Sequence, residues 1–121
     1  MMAASRTSRP ASTHPGLSHW RWQRVSAIVL VPLILWTLWM MRSLDGGSYL
    51  SAKAWLQGVG PITALLLLVP LSYLHGALGL QVIIEDYLHP PLRSPLIWLV
   101  RLVALMLSVV SLWAVLAVSS I

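Results

Sequence analysis

Three long apolar runs, separated by short polar segments, organise the chain. The first runs from Val25 to Met41 and closes at Arg42; the second runs from about Val59 or Pro61 to Ile84; the third runs from about Pro95 to Ser119. An α-helix needs about 20 apolar residues to cross a ~30 Å hydrocarbon core, so each run reads as a span, the first slightly short unless its ends snorkel. Pro32 and Pro70 fall inside the first two runs, where a missing N–H frees a carbonyl or kinks the helix. Ser43 to Gly58 is a polar loop with an Asp45-Gly46-Gly47-Ser48 turn signal and one amphipathic helical turn around Ala52–Gln57. Between the second and third runs, His89-Pro90-Pro91 blocks further helix. The pattern predicts an all-α integral membrane protein. Three transmembrane helices, at about 25–42, 60–85 and 95–118, lie within an anchor domain at 20–119. Three spans make a poor autonomous core, and the polar face of the second asks for helices of a partner membrane subunit.

Composition narrows this picture. Charged residues make up 9% of the chain, far below the quarter expected of a soluble domain. The absence of cysteine excludes disulfides, thiolate metal sites and cysteine nucleophiles. The net charge of +5 comes from arginines that flank the spans, where topology and anionic lipid account for them better than nucleic acid does. Residues 1–19 hold Arg6 and Arg9, no acids, and no apolar stretch of the kind a secretory signal carries; they read as a flexible cytoplasmic tail. The same composition suits an organellar transit peptide, so a mitochondrial inner membrane stands as the second choice after a bacterial one. His19-Trp20-Arg21-Trp22-Gln23-Arg24 reads as an interface anchor. Basic residues concentrate on the side of the tail and the second loop, which the positive-inside rule makes cytoplasmic.

The second span carries the candidate chemistry. His75 sits inside it, followed by Gly76, Gly79 and Gln81, and the helix runs out to Asp86-Tyr87. The eleven steps from His75 to Asp86 return the side chain to nearly the same face. They separate the two by roughly 16 Å along the axis, about half of the hydrocarbon core. If Asp86 marks the water interface, His75 is near mid-membrane. An imidazole there either donates one hydrogen bond across a helix interface or ligates a cofactor. The glycines remove bulk beside it, so a flat macrocycle could approach, and neutral imidazole is a good axial ligand for haem iron. With no second histidine at matching depth in another span, a bis-His haem would be shared with a different subunit.

Asp86 and Tyr87 read either as an ordinary helix end with a belt tyrosine or as a quinone head-group site. In the second reading the phenol donates to a quinone carbonyl and the carboxylate orients it or relays protons. Arg24, opening the first span, reads as a topology anchor or as a counter-charge for haem propionates or Asp86. Glu85, His89, Arg93 and Arg101 read as interfacial, Arg101 being close enough to a span end to snorkel.

These residues resemble the hydrophobic membrane-anchor subunit of succinate dehydrogenase, the smaller cytochrome b-type anchor of complex II, in its alphaproteobacterial form. The resemblance rests on His75 with Asp86-Tyr87 eleven residues on, on Trp22-Gln23-Arg24-Val25-Ser26-Ala27, and on the three-span layout; it covers roughly Trp20 to Val118. It implies that His75 is one axial ligand of haem b, the other coming from a companion cytochrome b subunit. It implies that Tyr87 hydrogen-bonds ubiquinone, that Asp86 lines that site, and that Arg24 lies near the haem propionates. It also implies a flavoprotein with covalent FAD and an iron–sulfur subunit as soluble partners, neither chemistry being encoded in this chain. Some related anchors lack haem.

The expectation is therefore a non-catalytic anchor subunit of a succinate:ubiquinone oxidoreductase in a bacterial inner membrane, N-terminus cytoplasmic. The alternative is a haem-free scaffold subunit of another membrane complex. A small proton-coupled transporter using His75 and Asp86 fits less well, because the spans hold only Arg101 as a further ionisable group.

Overall fold

The computed structural model describes residues 15–44 and 46–121, so most of the expected tail at 1–19 lies outside the described residues. Four helices follow in order: α1 (Pro15–Met41), α2 (Tyr49–Leu56), α3 (Val59–Tyr87) and α4 (Arg93–Ser120). Residues 15–19 are thus helical where a flexible tail was expected. Proline suits a first helical position, and nothing between Leu17 and Arg24 breaks a helix, so the first span simply extends outward through its interface anchor.

The three long helices are apolar enough to cross a membrane. With 27, 29 and 28 residues they are roughly 40–44 Å long, so their ends reach the headgroups or the helices tilt. Pro32 and Pro70 are each accommodated within one continuous helix. Their missing N–H groups take the usual donor from the carbonyls of Ile28 and Leu66. The loop before α2 turns on Gly46 and Gly47, both at positive φ (61° and 69°), a conformation costly for any residue with a Cβ. Ser48 caps α2 through its Oγ, which accepts from Ser51 N at 3.1 Å. The single turn expected near Ala52–Gln57 is a longer helix, fastened to the last turn of α1 by Trp55 Nε1 donating to Met40 O at 3.0 Å.

Helix α3 is central: it packs against both α1 and α4, which do not pack on each other among the described residues. Ser26, Leu30, Leu33 and Thr37 form the buried stripe of α1, at the three-and-four spacing of one helix face. Small residues let the backbones approach; Ala64 is fully buried, and a Cβ on Gly60 would stand 3.1 Å from Met40 Sδ. Among the described residues no large side chain is fully buried, and long rows of Leu, Val and Trp face outward, as lipid and partner helices require.

Between α3 and α4 the ties are polar. Tyr73 OH lies 3.1 Å from Ser111 Oγ. Arg101 Nη2 donates to Gln81 Oε1, and Gln81 Nε2 donates to Glu85 Oε1, both at 2.9 Å. Arg101 thus joins a polar chain that links the two helices and leads toward Glu85, near the end of α3. Interhelical hydrogen bonds in membranes contribute on average about 0.6 kcal/mol each.

Arg93 holds the end of α3. Its Nη2 donates to Glu85 O at 3.0 Å and its Nε to Leu88 O at 3.1 Å, meeting carbonyls that the ending helix leaves without partners. Two carboxylates, Glu85 and Asp86, sit in this last turn, where the negative end of the helix dipole disfavours them, and the guanidinium offsets both effects. Arg93→Ala is expected to weaken local order at 85–92 by about 1–2 kcal/mol. Hydrogen exchange of the Leu88 and Leu92 amides checks this; both should exchange faster, and unchanged rates would contradict the capping role.

Candidate functional site

His75 lies on α3 roughly 24 Å from Val59 and roughly 18 Å from Tyr87, hence near the middle of the span. Its Nδ1 stands 2.9 Å from Ser26 Oγ, across the α1–α3 interface. Ser26 is only 2% exposed, and its Oγ also donates to Gln23 O at 2.9 Å. No hydrogen bond reaches His75 Nε2 among the described residues.

The two glycines expected to clear space differ. A Cβ on Gly76 would meet nothing within 4 Å; Gly76 lines a groove of about 330 Å³ between α3 and α4, with Leu99 and Val103, which His75 does not line. A Cβ on Gly79 would stand 3.8 Å from Gln23 Nε2, so Gly79 serves the approach of α1 instead. These contacts, with Met40 near Gly60, fix α1 and α3 as antiparallel, the N-terminal half of α1 level with the C-terminal half of α3.

Arg24 is therefore nearer the level of His75 than that of Asp86: it is two residues, about 3 Å along the axis, from Ser26. It leaves α1 on the side away from the buried stripe, exposed, with its guanidinium over the Trp20 ring at 5.1 Å from the centroid. Among the described residues it makes no ion pair with Asp86. Asp86 and Tyr87 project from the last turn of α3, Tyr87 being 80% exposed. His75 and Asp86 thus share one helix, while Arg24 belongs with the His75 level and Tyr87 stands at the interface end.

A groove of about 540 Å³ runs beside α3 and α4, with Trp22, Tyr73, Gln81, Arg101 and Ser108 among its lining residues. It includes neither His75 nor Asp86 nor Tyr87. The candidate residues lie instead on open faces of the chain, which suits a site completed by other subunits.

No group of three or more His, Cys, Asp or Glu side chains that could hold a metal ion exists among the described residues. A haem asks less of this chain: one imidazole with a lone pair, and flat space beside it. His75 meets the first through Nε2, which no hydrogen bond reaches among the described residues, and Arg24 at a similar level is a cation suited to a propionate.

The sequence alone assigns no partner to Ser26 or Gln81, and it marks Arg93 as interfacial without its bonds to the end of α3. Ser26 had one signal available, a hydroxyl in an otherwise apolar run. Gln81 was seen only as one of several polar residues in the second span. The pairing of either needs the helix register, which no spacing within a single span supplies.

Residues 3–111 match the family described as the succinate dehydrogenase/fumarate reductase transmembrane subunit. The succinate dehydrogenase hydrophobic membrane anchor subunit of Rickettsia bellii is 36% identical over 97 residues, covering 78% of this chain and 77% of that one. Its counterpart in Rickettsia conorii is 33% identical over 93 residues, covering 75% and 74%. No solved structure matches the chain. With the match spanning all but the last part of α4 and the relatives covering three quarters of the sequence, the chain belongs to the succinate dehydrogenase/fumarate reductase transmembrane subunit family, as one of its hydrophobic membrane anchors.

Proposed function

We propose that this chain anchors a succinate:ubiquinone oxidoreductase in a bacterial inner membrane, supplies one axial ligand to a haem b, and forms part of the quinone-reduction site. The observation that carries the reading is His75: a mid-span imidazole, tethered at Nδ1, with no hydrogen bond at Nε2 among the described residues. Its Nε2 would hold the iron together with a histidine of a cytochrome b subunit, and Arg24 would neutralise a propionate. Haem b, when bound, would supply a one-electron redox centre, and its iron, coordinated from both membrane subunits, would tie them together.

At the end of α3, Tyr87 and Asp86 form this chain's share of the quinone pocket. Tyr87 donates its O–H to a quinone carbonyl, and Asp86 orients the ring and faces the water from which protons come. Quinone takes two electrons from the iron–sulfur subunit and two protons from the cytoplasmic side, leaving as quinol. Succinate is oxidised in the flavoprotein, so this chain performs no catalysis alone. Its N-terminus and the α3–α4 connection lie on the cytoplasmic side, where the arginines concentrate.

Affinity purification from native membranes through a tag on this chain tests the assignment. Succinate–quinone reductase activity and covalently bound flavin are expected to co-elute. Elution with a different complex, free of both, would favour the haem-free scaffold.

A further inference from the structure

Ser26 stands where it can decide which nitrogen of His75 carries the proton. The hydroxyl has one hydrogen and two neighbours: Gln23 O, a carbonyl that only accepts, and His75 Nδ1, each at 2.9 Å. If Nδ1 were the acceptor, Ser26 would give it the hydrogen and face Gln23 O lone pair to lone pair. If Nδ1 carries the hydrogen, both contacts are satisfied together, in the sequence Nδ1–H to Oγ–H to O=C. The site is shut off from water, since Ser26 is 2% exposed, so no solvent molecule is at hand to repair the first arrangement.

We infer that Ser26 is a positioning residue for the proposed haem: it accepts from His75 Nδ1–H, fixes the ring, and leaves the Nε2 lone pair for iron. The inference rests on the haem reading given under Proposed function. Its chemistry is that of outer-shell acceptors in general. A ligating histidine donates its other N–H to such a group, which sets the tautomer and rotation of the ring and makes the ligand a stronger donor. The acceptor here comes from α1, so the α1–α3 packing and the ligand geometry are one feature. Gln23 has two parts in it, its carbonyl receiving the Ser26 hydrogen and its side-chain amide resting near Gly79.

The test compares Ser26→Thr with Ser26→Val in the assembled complex, because these two differ chiefly in the hydroxyl. Haem per complex after detergent washing and the haem midpoint potential are read against wild type. Thr is expected to keep both. Val is expected to weaken haem retention by roughly 10–100-fold, the usual cost of losing an outer-shell partner. The Val midpoint should move upward, since a weaker donor favours the ferric state less. Thr and Val variants that behave alike, in either direction, would overturn the role of the hydroxyl while leaving His75 as ligand. A wild-type complex with no b-type band would remove the haem reading itself, and this inference with it.

Discussion

In a Tyr87→Phe complex, ubiquinone reduction is expected to fall about fivefold, while succinate oxidation by an artificial dye stays at the wild-type rate. The substitution removes one oxygen from a side chain that is 80% exposed at the end of α3, so folding and packing of this chain have little to lose. A hydrogen bond to a quinone carbonyl is worth on the order of 1 kcal/mol, and about 1.4 kcal/mol corresponds to tenfold in rate. Dye reduction draws electrons before they reach the membrane and reports on the soluble subunits alone. Parallel losses in both assays would assign Tyr87 to assembly instead of quinone binding.

His75→Ala is expected to have the larger effect, at least a tenfold loss of haem from the purified complex. The substitution removes the only imidazole of α3, and among the described residues no other histidine lies near that level: His19 is in the second turn of α1 and His89 lies beyond the end of α3. Damage to packing is limited by local chemistry. Ser26 keeps its bond to Gln23 O when the ring is gone, so no buried hydroxyl is left without a partner. Gly76 already faces open space, and the α3–α4 ties through Tyr73 and Gln81 are untouched. The anchor should therefore still insert and still hold its helices together.

The contrast between Tyr87 and Ser26 shows what a single sequence can disclose. The spans were legible because a membrane-crossing helix needs an unbroken apolar run, and such runs stand out against Arg42, Glu85 or Arg93. His75 was legible for the same reason in reverse, as an ionisable side chain where none is affordable without a partner or ligand. Asp86 and Tyr87 stood out as candidates through their spacing from His75 along one helix, a distance that helical geometry alone sets. Ser26 was not found, because its meaning depends on how α1 lies against α3. The same holds for Arg101: its bond to Gln81 on the neighbouring helix, at 2.9 Å, depends on how α4 lies against α3. The start of α1 was misplaced for a more local reason. Low hydropathy at 15–19 was read as tail, although polar residues at a headgroup interface remain helical when nothing breaks the backbone ladder. The level of Arg24, close to His75 and remote from Asp86, likewise needed the antiparallel register fixed by the Gln23–Gly79 and Met40–Gly60 approaches.

The most direct measurement is a dithionite-reduced minus oxidised absorption spectrum of the complex purified through this chain, with wild type and His75→Ala side by side and flavin content confirming assembly. The account predicts a b-type band in the wild type and its loss in the variant at equal flavin. A band of equal size in both, or no band in the wild type, would contradict His75 as a haem ligand.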